Sequence, residues 1–495
     1  MTLDPLWLAL PALLTLVYVG TLVQYPLDFW YHVTTGRATA TSGTIVDRDN
    51  FTHTIAGQPV TNQDWAAQVA TYALYRAGGF PLVQFAAGLL YAAAMAVTTA
   101  GAWWRARDPR IAAGMALGAL ALALSNFGIR PQAISLLLFA VELLVLWQCG
   151  DRWWSVVVVL LVEILWSNTH GAFPLGIVLP GLFSTAAAWN AWRNGGWHAL
   201  ATARGLRCYA IATLLAMAAA FCNPHPGQTL DYVFGVTSRA TQRGIGEWMP
   251  VSWGSPSGIV LLLSLLAAVA IVAMRRKSMQ PIELLLLVVF GVGAVGVQRM
   301  MVWWGMAMAL ALAPHVAALL AAWSGSRVLS PEESRAVRAS AASPVSFGML
   351  LVLAAAVAMS TPWTRAYNPL LPPAKRQAHA NDDPYAVVDF LRQSGYRGRA
   401  FNPLEWGACL TWFCDPGIKV FIDGRVDFFP DRVWNDYATI GNAGRGWEEL
   451  LRQYGVELVV WNQQLSEKLP TALARSSRWK NVYQDHLATV YVLAR

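Results

Sequence analysis

Asp28 stands between the apolar run LWLALPALLTLVYVGTLV and the aromatic cluster Phe29, Trp30 and Tyr31. A carboxylate partly desolvated by aromatic neighbours at a membrane exit is a stronger base, which is what proton abstraction beside a lipid-linked substrate needs. The bland alternative is a helix cap beneath an aromatic belt. His32, close behind, is a candidate substrate contact for the same site. Asp47 and Asp49 form a D-x-D pattern in DRDNF, which can hold a divalent ion, Mg or Mn, across phosphate oxygens or simply make a turn.

A second group of residues suits an anionic substrate. Arg130 in FGIRPQ and Arg299 in VQRMM each close an apolar run, where a guanidinium can grip phosphate oxygens in bidentate fashion or snorkel to headgroups. Glu247 lies in the long loop NPHPGQTLDYVFGVTSRATQRGIGEWMPVSWGSPSG, on the side of the membrane assigned to both arginines, and joins them as a candidate substrate contact. In VEILWSNTHGAF, Glu163 and His170 are spaced to share one helical face, with Glu163 below the membrane surface. Ionisable groups at that depth are costly and tend to be functional, although His170 suits a satisfied core position equally well. Cys149, Cys208 and Cys222 fall at the ends of apolar runs as ordinary buried thiols, and Cys409 and Cys414 have a spacing that permits a disulfide without demanding one.

The elements that must carry these residues are membrane helices. Of 495 residues, 56% are hydrophobic and 13% charged, which excludes an ordinary soluble protein. The net charge of +8 is spent on short basic loops, and this argues against a nucleic-acid partner. Apolar runs of roughly 17–23 residues predict about eleven spans, near 6–24, 80–102, 111–128, 131–149, 154–168, 172–190, 206–222, 258–274, 279–297, 301–322 and 345–361. The first has no basic leader and no small-residue cleavage site, so it reads as an uncleaved anchor. With a cytoplasmic N-terminus, every inside loop is basic, from Arg105, Arg107 and Arg110 to Arg327, Arg335 and Arg338. That agreement supports the count.

This topology divides the chain into a membrane domain over 1–361, with a first extracytoplasmic loop at 25–79, a proline-rich linker at 362–375, and an extracytoplasmic α/β domain at 376–495. In the first loop, Asn62 or Asp64 caps a helix whose Trp65, Val69, Tyr72 and Leu74 or Tyr75 form an apolar face suited to the membrane surface. In the last domain, IKVFID and VELVVW read as strands, and PYAVVDFLRQSG and GWEELLRQYG as helices. VFIDGRVDFF places Asp423, Arg425 and Asp427 at a strand exit, as ligand contacts or as local ion pairs.

An acidic motif directly after the first span, a membrane-surface helix, about eleven spans and a soluble C-terminal domain together resemble the GT-C class of membrane glycosyltransferases. LDFWYHVTTGR, DRDNFTH and QDW, with FNPLEWGACLTWF and KVFIDGRVDFF, are most similar to bacterial members of the dolichyl-phosphate-mannose mannosyltransferase-like group. The W-W-D-x-G motif of oligosaccharyltransferases and the Asp-Glu pair of protein O-mannosyltransferases are absent, which leaves sugar and acceptor open. The resemblance implies transfer of a sugar from a polyprenyl-phosphate-linked donor to a glycan, lipid or protein acceptor. It implies an integral protein of the bacterial inner membrane with Asp28 as catalytic base, and a single displacement inverting the anomeric carbon. A transporter or flippase of a lipid-linked substrate and a non-catalytic envelope assembly protein are the alternatives; no inverted repeat is evident for the former.

Overall fold

The computed structural model describes residues 4–23, 27–324, 344–377, 384–426 and 428–494. Asp427, and Arg327, Arg335 and Arg338 of the last basic loop, lie outside the described residues. The described chain forms two compact units, one of Met1–Leu22 with Phe80–Gln377 and one of Val23–Gly79 with Ala378–Arg495. The first loop is thus grouped with the C-terminal domain and not with the membrane helices that flank it in sequence.

In the first unit a helix stands wherever an apolar run predicts a span. These are α1 (Asp4–Thr21), the latter part of α3 (Trp65–Ala106), α4 (Pro109–Ala123), α5 (Gln132–Cys149), α6 (Trp153–Ser167), α7 (Pro174–Thr202), α8 (Arg204–Ala219), α10 (Pro256–Arg275), α11 (Pro281–Gly296), α12 (Met301–Ser324) and the helix Pro344–Ser360. Among the described residues, four segments are both long and apolar enough to cross a membrane: Trp65–Ala106, Gln132–Cys149, Pro256–Arg275 and Gln298–Trp323. Pro5–Thr21, Trp153–Ser167, Pro281–Gly296 and Pro344–Ser360 are shorter apolar helices. The helix Thr229–Gln242 (α9) lies in the long loop before α10.

From Met301 to Ala313, α12 is buried on every side, the mark of a helix at the centre of a bundle. It packs on α4 at Gly305, where a Cβ would come within 3.0 Å of Ala119 Cα. Tyr91, Phe139, Trp166 and Phe290 join its own Trp303 and Trp304 in a continuous core. The segment after the last apolar helix is pinned and does not act as a loose spacer. Arg365 is 1% exposed and donates through Nη1 to the carbonyls of Gly20 (3.0 Å) and Leu22 (2.8 Å), where a cation complements the C-terminal end of α1.

The second unit contains α2 (Leu27–Ser42), the start of α3, and a five-stranded sheet ordered β2-β1-β3-β5-β4. Its strands are β1 (Gly398–Phe401), β2 (Ile418–Val420), β3 (Leu458–Asn462), β4 (Trp479–Gln484) and β5 (Ala488–Leu493). β2, β1 and β3 are parallel, while β5 and β4 are antiparallel. The predicted strands and helices of this domain are all present, and the first loop adds to them. Thr52 bridges Val420 in parallel, His53 N donates to Val420 O, and Thr54 Oγ1 donates to Phe421 O. Ile55, 1% exposed, enters the same core as Phe401, Phe421 and Trp461.

The helix starting at Trp65 is as expected, with Asp64 O accepting its first bond from Gln68 N. Trp65, Val69, Tyr72, Leu74 and Tyr75, the residues of its expected apolar face, are half-buried. Ala67 and Gln68 are its buried residues, and a Cβ on Gly36 of α2 would stand 2.1 Å from Gln68 O. α3 continues past this segment but loses helical geometry at Gly78 and Gly79 (φ 65°, ψ −166°). The boundary between the two units falls at that break.

Candidate functional site

Three of the predicted substrate contacts converge. Arg130 stands in the turn before α5, whose backbone is fixed by Tyr91 Oη donating to Gly128 O at 2.9 Å. Arg299 occupies the one-turn helix Gln298–Met300 between α11 and α12, and Glu247 the one-turn helix Gly246–Trp248. Arg130 Nη1 donates to Glu247 Oε2 at 2.7 Å, and Arg299 Nη1 lies 3.5 Å from Glu247 Oε1. The Arg299 guanidinium stands 5.0 Å from the centre of the Trp248 ring, a favourable cation–aromatic arrangement. Gln298 N donates to Met249 O, tying the two short turns together. The result is a cluster in which two arginines share one carboxylate.

Glu163 and His170 do not share one contact. His170 lies beyond the end of α6 and its Nδ1 is 2.7 Å from Ser135 Oγ, which also accepts from Trp166 Nε1 at 2.7 Å. Glu163 turns towards Glu142 of α5. A Cβ on Gly176 of α7 would stand 2.2 Å from Glu163 Oε2 and 3.2 Å from Glu142 Oε2, and both glutamates are fully buried. Among the described residues none of the four carboxylate oxygens has a hydrogen-bond partner. Hydropathy reveals one acid in each helix, but their meeting requires α7 to bring a glycine between them.

In the second unit Asp28 lies in the first turn of α2, where a carboxylate complements the helix dipole. It is half-buried, and His32 one turn later is buried. Phe29 and Trp30 do not form a membrane belt. They are buried against Tyr75, and Trp30 stacks on Trp412 with 5.9 Å between ring centres. Arg37 lies 4.1 Å over the other part of this cluster, the Trp412 ring.

Asp47 and Asp49 have unlike surroundings. Asp47 is exposed, whereas Asp49 is fully buried. Asp49 Oδ2 accepts from Thr52 N (3.0 Å) and Thr52 Oγ1 (2.7 Å), and its Oδ1 is 2.7 Å from Arg425 Nη2. Arg425 also grips Asp423, with Nη2 2.5 Å from Oδ2. The two carboxylates hold the Arg425 guanidinium firmly charged despite burial. Tyr31 faces this group, and burial raises its hydroxyl's pKa well above the ordinary range. Asp49 is therefore committed to Arg425, and no group of three or more metal-ligating side chains is present among the described residues. The D-x-D pair does not fit a Mg or Mn ion. Cys409 and Cys414 stand five apart on one helix, Leu404–Cys414, a spacing that sends two side chains to different faces and does not suit a bridge.

No protein-family model matches the chain, and no curated protein matches it in sequence. Solved structures do match. One is the oligosaccharyltransferase of Archaeoglobus fulgidus tethered with an acceptor peptide containing the NVT sequon (TM-score 0.60, 12% identity, covering 98% of this chain and 74% of that one). A second is the archaeal oligosaccharyltransferase AglB from the same organism, in complex with an inhibitory peptide and a dolichol-phosphate (TM-score 0.55, 11% identity, 99% and 74% covered). A third is ArnT from Cupriavidus metallidurans bound to undecaprenyl phosphate (TM-score 0.50, 16% identity, 98% and 97% covered). The fold is the GT-C fold. The likeness extends over nearly the whole chain, so the membrane helices and the α/β domain both belong to the shared architecture. The bacterial mannosyltransferase-like group named by the sequence is a finer assignment than these likenesses carry.

Proposed function

We propose that this protein transfers a sugar from a polyprenyl-phosphate-linked donor to a glycan, lipid or protein acceptor at the extracytoplasmic face of the bacterial inner membrane. The convergence of Arg130 and Arg299 on one carboxylate, in a chain with the GT-C fold, carries this reading. Two guanidiniums that can share the oxygens of one carboxylate can share those of a phosphate. In this reading they stabilise charge on the departing lipid phosphate. Asp28 is retained from the sequence as the candidate base for the acceptor hydroxyl. The N-terminus is cytoplasmic and the α/β domain periplasmic, following the basic loops.

The test uses the full chain in lipid nanodiscs with undecaprenyl phosphate. Arg130→Ala and Arg299→Ala should each weaken binding by about 1.5–3 kcal/mol, the worth of a charge-assisted hydrogen bond. Asp28→Asn should leave binding intact and lower transfer by roughly two to four orders of magnitude. Unchanged lipid affinity in both arginine variants would remove the basis of the proposal. The buried Glu142–Glu163 pair favours a second reading, movement of a polar substrate through the bundle. Flux into proteoliposomes lacking any sugar carrier would support it.

A further inference from the structure

Five acids are buried among the described residues, and three of them meet a cation. Glu283 is held by Arg105, with His315 Nε2 2.9 Å from its other oxygen, and Asp49 and Asp423 share Arg425. Glu142 of α5 and Glu163 of α6 are the exceptions. Each is fully buried, and among the described residues their four oxygens have no hydrogen-bond partner. One oxygen of each lies within 3.2 Å of a single point, the position that a Cβ on Gly176 of α7 would take, and Trp166 Cε3 is 3.1 Å from the same point. The two carboxyl groups thus face one small space, walled by an aromatic ring and left open because residue 176 has no side chain.

The helices packed around that space bring no positive charge to it. Glu142 and Glu163 are the charged residues of α5 and α6, and α7 has none before Arg193. α8, packed on α6 and α7, carries Arg204, Arg207, Cys208 and Tyr209 within its first six residues. There Cys208 donates to Asp151 O, about three turns of α6 away from Glu163. α11 and α12 contribute Glu283 and His315, which are bound to each other. His170, beyond the end of α6, is bonded to Ser135. The charge that acts on Glu142 is that of Glu163. Two ionised carboxylates here would be like charges in apolar surroundings without a cation, and their desolvation and mutual repulsion outweigh what ionisation gains.

We propose that Glu142 and Glu163 form a proton-binding site within the bundle and jointly hold at least one proton at neutral pH. The inference does not rest on sugar transfer and holds equally if a substrate moves through the bundle. A bound proton makes one carboxyl group a donor to the other, so the meeting of α5 and α6 beside Gly176 becomes a hydrogen bond in place of a repulsion. Buried acids at membrane depth serve most often as such proton sites or as parts of a polar pathway.

Infrared spectroscopy of the full chain in a maltoside detergent, which has no carbonyl of its own, reads the site through the C=O band of a protonated carboxyl group. At neutral pH the wild type should show this band, with the small shift in heavy water that marks an exchangeable proton. Glu142→Gln combined with Glu163→Gln should remove it. Each single substitution should shift or abolish it, because the remaining acid loses its partner. A band untouched by one of the two would assign the proton to the other glutamate alone and overturn the joint site. Identical spectra for the wild type and the double variant in this region would show both acids ionised and sink the inference outright. Should the substituted chains not fold, wild-type protein made with heavy-carbon glutamate gives the answer: an acid band that moves with the label supports the site, and the absence of any such band refutes it.

Discussion

Replacing Arg425 with Met should open the second unit. Arg425 lies 2.5 Å from Asp423 and 2.7 Å from Asp49, and the three side chains are 3%, 3% and 0% exposed. Met fills much of the same volume but leaves two buried carboxylates facing each other without a cation. Breaking a buried pair in this way costs about 3–5 kcal/mol, because the charges left behind are uncompensated. Cys409 is a native reporter, since it is buried in the helix Leu404–Cys414 of the same unit. In a background with the other four cysteines replaced, its labelling reports the free energy of opening. Arg425→Met should speed labelling by about two to four orders of magnitude. Adding Asp49→Asn and Asp423→Asn should recover most of the protection, because neutral amides impose far less desolvation. If Arg425→Met labels at the wild-type rate, the network contributes nothing to holding the first loop on the sheet, and the reasoning fails.

Two other predictions concern the same unit. His53 donates from Nε2 to Ala400 O, and burial lowers its pKa from 6.5 to about 4. Its neutral form is favoured in the fold, so the associated stability is complete above pH 6.5 and is lost as pH falls from 6.5 through 4, by up to about 3 kcal/mol. Denaturant titrations across that window should show the loss, and His53→Gln should flatten it. Gly36→Ala would place a methyl 2.1 Å from Gln68 O, a backbone atom that cannot turn aside. It should destabilise the packing of α2 on α3 by about 1–3 kcal/mol. Gly118→Ala, a control in α4 of the first unit where a Cβ meets nothing within 4 Å, should not destabilise the protein in thermal melts that detect the Gly36→Ala loss.

The helices and strands were legible because each is written in local periodicity. Apolar runs mark α5 or α10 whatever they pack against, and IKVFID reads as a strand from its own residues. The break at Gly78 and Gly79 was not separated from its surroundings by hydropathy, which sees an apolar run on one side and an amphipathic one on the other. Arg130 and Arg299 were legible as cations at the ends of apolar runs. That Glu247 would meet both depends on how the long loop before α10 returns to them, and no spacing encodes that. Asp49 shows the limit most clearly. D-x-D has the same local pattern in a metal site and in an ion pair, and the choice was made by Arg425, a residue hundreds of positions away.

The grouping of the first loop with the C-terminal domain has a consequence for biogenesis. Thr54 hydrogen-bonds to a residue 367 positions later in the chain. At a synthesis rate of roughly 5–20 residues per second, the loop waits on the order of 20 to 70 seconds for the strand that receives it. Through that interval Ile55 and Asp49, both buried in the finished fold, have no sheet to cover them, while the helices of the other unit are being inserted. A chain that stops before β2 lacks the strand that Thr52, His53 and Thr54 pair with and cannot complete this unit. The second unit is therefore completed only when a late part of the chain closes over an early one.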